Sequence, residues 1–232
     1  MKTVSFRHSE NLSLKVADFL RNAIIRGEWE AGQKLNELLI ASKLGISRSP
    51  IREAFRILES ENLVDIHSRR GAFVKRLSSK EVEEFFTVLN MIEITAIGRA
   101  VNNMNAKREK ELKFITQRLE KCLKTNDVEK YKSVSMSLHH FIVEATGNSL
   151  LKRIHNSLEP QRERLRRIIF MEKNNIVKSM KEHLAISKAL LKSDGEKAEL
   201  LLRNHIGEGT QRILKGVPEG NGDQIFRKNL PI

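Results

Sequence analysis

The chain has 232 residues, of which 40% are hydrophobic and 31% charged, enough for a folded core in one large domain or two modest ones. Lys and Arg number 42 against 29 Asp and Glu, a formal charge of +13, which favours a polyanionic partner, nucleic acid ahead of a membrane surface. One cysteine, Cys122, excludes an internal disulfide framework, and no apolar run approaches the roughly 18 residues of a membrane span. The opening MKTVSFRHSE has no apolar stretch of signal-peptide length. A cytoplasmic protein with no membrane partner is the expectation. Aromatics at 5% and only 4 prolines lean toward helix.

Leu12, Val16, Phe19, Leu20, Ala23 and Ile24 fall at helical spacing and stop at Gly27. AGQKLN then reads as a turn, with Asn36 as N-cap of a second helix that stops at Gly45. A third helix can begin at Ser47, because Pro50 is tolerated in a first turn. Its apolar side is Ile51, Ala54, Phe55 and Leu58. LVDI and AFV, joined by the polar HSRRG, predict a small hairpin. Three helices, a tight turn and a hairpin describe a winged helix-turn-helix over residues 1–77. Ser78 and Glu81 form a capping box that opens the next part. Residues 78–216 read as successive amphipathic helices, one of them with a bend expected near Pro160, and 217–232 as a tail. The fold class is therefore mainly α, a winged helix-turn-helix followed by an all-helical bundle.

Arg48 and Arg52 lie four apart, so they project side by side on the polar face of the third helix, with Ser47 and Ser49 at its start. Most arginine pairs simply solvate a surface. This one follows a tight turn and precedes a wing, where arginine can bind guanine bidentately or clamp phosphate. KLGISRSPIREAFRILESENLV and RRGAFV resemble the DNA-binding signature of the GntR family of bacterial transcription regulators, with Ile51 for the usual valine and Phe55 for the usual leucine. The resemblance implies that Ser47, Arg48, Ser49 and Arg52 face an operator and that Arg69, Arg70 and Gly71 form a wing tip along the backbone or minor groove. Leu38 stands where several relatives carry a DNA-contacting arginine.

His139 flanks the apolar stripe of Val134, Leu138, Phe141 and Ala145, while His140 points nearly opposite. His183 and His205 lie within the stripes of two later helices. The three either sit as separately hydrogen-bonded core histidines or converge on a divalent ion. LHHFIVEATGN, KEHLAISKAL and RNHI resemble the helical effector domain of the FadR subfamily, the FCD domain. That resemblance implies a divalent metal, zinc or nickel, on His139, His183 and His205, beside a pocket for a small organic acid. The family's aspartate one turn before the first histidine is Ser135 here, and Asn90 replaces a frequent arginine; both fall in the implied effector pocket.

The leading expectation is a homodimeric transcription regulator, a repressor by the family's commoner habit, that binds a palindromic operator and answers to a small carboxylate. One alternative is a DNA-binding dimer whose helical domain has lost sensing. The remaining one is a metal-dependent enzyme built on the three histidines, which would leave the DNA module unexplained.

Overall fold

A computed structural model describes residues 7–170 and 173–216; the expected tail lies outside the described residues. The chain falls into two compact units divided between Ser78 and Ser79, with the Leu158–Leu165 stretch grouped with the first.

The first unit runs α1 (Arg7–Arg26), β1 (Lys34–Leu35), α2 (Glu37–Leu44), α3 (Arg48–Ser60), β2 (Val64–His67) and β3 (Gly71–Val74). Asn36 caps α2 by accepting from the amides of Leu38 and Leu39, and Gly45 ends it in the left-handed region at φ 65°. Such a cap is worth about 1 kcal/mol, and a side chain at Gly45 would pay for that φ. Ser47 takes the N-cap position of α3 in extended conformation, without a side-chain capping bond. Ile51, Ala54, Phe55 and Leu58 bury one face of α3 against α1, whose Leu20 and Ile24 are fully covered. Burying that face turns the opposite one, with Arg48 and Arg52, outward.

The hairpin forms as expected, with Val64 paired to Val74 and Ile66 to Ala72 in antiparallel register. The turn reading of AGQKLN needs correction. Lys34 and Leu35 pair antiparallel with Phe73 and Ala72 as a third strand, giving the order β1-β3-β2. Two residues are too few to show a period of two, and Leu35 earns its place by burial.

The second unit contains α4 (Ser79–Asn102), α5 (Ala106–Thr125), α6 (Val128–Ala145), α8 (Lys173–Leu191), α9 (Gly195–Lys215) and, apart from Leu158–Leu165, α7 (Ser149–Phe170). Helix α7 is continuous through Pro160. Helix α4 packs on α6 and α9, α5 on α6 and α8, and α8 on α6 and α9. Leu89, Ile97, Leu112, Leu119, Leu138 and Tyr131 are among its fully buried side chains. This packing brings the inward faces of α4, α6, α8 and α9 together. No described helix is long and apolar enough to cross a membrane.

Candidate functional site

Two groups of side chains have a geometry that the fold alone does not require. The first is a cleft of about 540 Å³ between α2, α3 and the wing. Arg48, Arg52, Arg56, Arg69 and Arg70 line it, together with Leu38, Ile66 and Gly71. Arg69 adopts φ 62° and Gly71 φ 96°, so the wing turns sharply enough to present two consecutive arginines. Arg70 and Lys34 lie 5.8 and 5.9 Å from the Phe73 ring, contacts that steady long cationic side chains. Across the cleft, Glu37 lies 2.8 Å from Arg48 Nε and 2.9 Å from Arg52 Nε. Ser47 and Ser49 are exposed but line an adjoining hollow of about 650 Å³ with Leu12, Pro50 and Ile57. A row of outward arginines between a helix and a wing can bind phosphates and base edges.

The second group lies inside the helical unit. His139 from α6, His183 from α8 and His205 from α9 each offer a ligand atom, and these atoms lie within 4.8 Å of one another. His139 and His183 are buried. The other ring nitrogen of each histidine is held by an oxygen. His139 Nδ1 is 2.7 Å from Glu93 Oε2, His183 Nδ1 is 2.8 Å from the Ser179 carbonyl, and His205 Nδ1 is 2.7 Å from Glu182 Oε2. Carbonyl and carboxylate oxygens only accept, which assigns the proton to Nδ1 in all three rings. Each Nε2 is then a bare lone pair in the neutral ring. Yet His139 Nε2 and His183 Nε2 are 2.9 Å apart. Two bare nitrogens at that distance repel unless a proton or a cation satisfies them, so the donor set fits a divalent ion.

The surroundings reinforce this arrangement. Glu93 is fully buried, and its second oxygen lies 3.0 Å from His155 Nε2. Tyr131 donates to Ser179 Oγ at 2.7 Å, and its oxygen lies 2.7 Å from His183 Nδ1. Burial, together with the neighbouring His205 and His139, pushes the His183 imidazole well below its ordinary pKa, which keeps it neutral as a metal ligand must be. Burial alone would raise the Glu182 carboxyl, but hydrogen bonds from His205 and Arg212 outweigh it and bring the group down to about 2. Ser135 lies one turn before His139 and is buried; its hydroxyl donates to the Lys132 carbonyl and accepts from Arg166 at 3.2 Å. Asn90 lies one turn before Glu93 on α4, and its buried Oδ1 has no donor among the described residues.

Each group lies in a stretch of the chain that matches a known family. Residues 12–74 match the family described as bacterial regulatory proteins, gntR family, and residues 84–208 match the FCD domain. The chain is a GntR-family transcription regulator with an FCD domain. The gluconate operon transcriptional repressor of Bacillus subtilis is 32% identical over 150 residues, which is 65% of this chain and 61% of that protein. The match thus spans less than two thirds of that relative's length. The uncharacterized HTH-type transcriptional regulator YdhC of the same organism is 25% identical over 87% of this chain and 90% of its own. Among solved structures, E. coli McbR/YncC superposes with a TM-score of 0.71 at 19% identity, over 92% of this chain and 99% of that one. These relatives are regulators, not enzymes.

Within this GntR-family regulator, the winged helix brings Arg48, Arg52, Arg69, Arg70 and Gly71 around one cleft, while Ser47 and Ser49 lie beside it. The FCD domain brings His139, His183 and His205 together, with Ser135 and Asn90 each one turn from a residue of the cluster. His140, read as pointing away, is half-buried with its ring 5.7 Å from that of His155. Sequence reasoning missed Glu37, Glu93, Tyr131, Ser179 and Glu182, all of which hold a site residue in place. An acid three residues after Asn90, in the apolar setting of NMIEITA, was the available signal for Glu93.

Proposed function

We propose that this regulator represses transcription as a homodimer on a palindromic operator in the cytoplasm, and that a small organic acid relieves repression by binding beside a divalent ion. Arg48 and Arg52 read base edges in the major groove. Ser47, Ser49 and the Arg69–Arg70–Gly71 wing tip hold the DNA backbone. Two copies are needed because one recognition helix spans few base pairs, and two-fold symmetry matches a palindrome. The name of the Bacillus subtilis relative supports repression as the outcome.

The observation that carries the sensing half is the 2.9 Å approach of His139 Nε2 to His183 Nε2 while both Nδ1 atoms are committed to acceptors. His139, His183 and His205 would hold the ion, zinc or nickel by the chemistry of three imidazoles. When bound, it supplies a Lewis-acidic anchor for a carboxylate. Arg166 and the Asn90 amide are the polar groups that flank such a ligand in this reading. The acid acts by favouring the dimer geometry with the poorer half-site spacing.

The test is binding-site selection from random duplexes, then operator affinity with zinc or nickel and a panel of small acids. The expected result is an enriched palindrome whose affinity falls steeply with salt, as counterion release requires, and which one class of acid weakens. No enrichment would overturn the DNA reading. A second reading, in which the FCD domain only dimerises, draws on Ser135, whose hydroxyl is engaged by Lys132 and Arg166; enrichment with no response to any metal or acid favours it.

A further inference from the structure

Two of the five cleft arginines, Arg48 and Arg52, share one acid. Glu37 opens α2, directly after the Asn36 cap, and its carboxylate spans the gap to α3: Oε2 accepts from Arg52 Nε–H at 2.9 Å, while Oε1 lies 2.8 Å from Arg48 Nε as an ion pair without hydrogen-bond geometry. The Glu37 side chain is only 25% exposed, whereas those of Arg48 and Arg52 are 50% and 58% exposed. The acid therefore sits beneath the arginines, at the floor of the cleft, rather than beside them in solvent.

This arrangement has a consequence for recognition. A guanidinium carries five N–H donors in a rigid plane, one on Nε and four on the two Nη atoms. A carboxylate that accepts from Nε, as Glu37 does from Arg52, fixes the plane from below and leaves the Nη atoms as the outward edge; for Arg48 the same carboxylate supplies a countercharge. Holding both arginines from one carboxylate also offsets the repulsion between two cations four residues apart on a helix. A phosphate can also be met by a mobile cation acting as a point charge, as lysine does, so backbone contact depends less on a pre-set guanidinium plane. Bidentate contact with a guanine edge does need it, because the fork must arrive at a set angle. An acid in a DNA-facing cleft also carries a cost, since it repels the phosphates on every sequence equally.

We propose that Glu37 is a positioning residue for base recognition: it orients Arg52 through a hydrogen bond, holds Arg48 beside it as an ion pair, and lowers general affinity for DNA in exchange for discrimination. The proposal rests on the reading of this cleft as the DNA-binding face. Glu37 itself contacts no base.

The experiment compares wild type, Glu37→Gln and Glu37→Asp for equilibrium binding to the selected operator and to a scrambled duplex, at several salt concentrations. Glu37→Gln removes at once the charge that repels DNA and the charge that draws the two guanidiniums to one carboxylate. It is expected to bind scrambled DNA more tightly than wild type, while the operator-to-scrambled ratio falls by about ten-fold or more. Glu37→Asp keeps the charge but is one methylene too short to span both arginines; its ratio is expected to fall with no gain on scrambled DNA. Equal tightening on both duplexes by Glu37→Gln would show that the acid merely repels DNA, and would overturn the proposal. So would an unchanged ratio in Glu37→Asp, which retains the negative charge at the start of α2 and carries the test if Glu37→Gln does not fold. Arg48→Ala and Arg52→Ala separate the two levels of the argument. If neither affects operator binding, the cleft is not the reading face; if both do while the Glu37 variants keep their ratio, only the positioning role fails.

Discussion

Glu37 and Glu93 perform the same local act in opposite surroundings. Each carboxylate holds two basic side chains from outside its own helix: Arg48 and Arg52, both on α3, in one case, His139 of α6 and His155 of α7 in the other. Glu37 does so at the floor of an open cleft, where water competes and an exposed ion pair contributes about 0–1 kcal/mol. Glu93 does so at full burial, where losing one partner leaves the others unsatisfied in a medium that cannot solvate them. The difference suits the two proposed tasks, DNA recognition at one site and ion binding at the other. A surface that meets DNA must release its own contacts cheaply. A pocket that holds an ion must have its imidazoles fixed before the ion arrives.

The contrast breaks most visibly if the two acids cost the same to remove. Glu93→Ala is expected to lower the stability of the protein by about 3–5 kcal/mol in urea unfolding, whereas Glu37→Ala should cost about 1 kcal/mol or less. Comparable losses would mean that burial is not what distinguishes the sites. The next effect is on recognition. Arg52→Ala should cost about 1–3 kcal/mol in discrimination at one base pair, measured by competition between operator variants. An equal loss on every sequence would make Arg52 a phosphate contact and place base reading elsewhere.

Much of this was legible in the chain itself. Pro50 in a first turn, Gly45 at a helix end and apolar residues at 51, 54, 55 and 58 are local signals, and they located α3 and the outward side of Arg48 and Arg52. Helical phase likewise turned His139, His183 and His205 inward. What the chain concealed was tertiary. Strand β1 has two residues and exists because β3 offers an open edge. Glu93 and His155 are 62 residues apart, and nothing local to either says that one carboxylate serves two imidazoles. Glu182 precedes a predicted ligand by one residue, yet it points to His205 on the next helix. Single-helix phase predicts which side a residue faces, but not which partner it meets there.

A smaller and more gradual effect follows from pH in the metal-free protein. His183 has a folded pKa below its ordinary value of 6.5, so the unfolded chain takes up this proton first. The stability it contributes is present above about pH 6.5 and is lost as pH falls below that value. Glu182, held at about 2 against an ordinary 4.5, contributes stability that is present above about pH 4.5 and lost between there and 2. Both slopes have the same sign, so unfolding free energy should decline in two stages on acidification. His183→Ala should remove the upper stage and leave the lower one. An upper stage that persists in that variant would assign it to another group.

The central claim is that three imidazoles, each tied at Nδ1, converge to hold a cation. Calorimetric titration of zinc into metal-free protein tests it most directly. The account predicts one ion per chain in wild type and none in His183→Ala, because the facing nitrogens of His139 and His183 are the lone pairs that the ion satisfies. Wild-type protein that takes up no zinc, or that binds it equally well without His183, would contradict the claim.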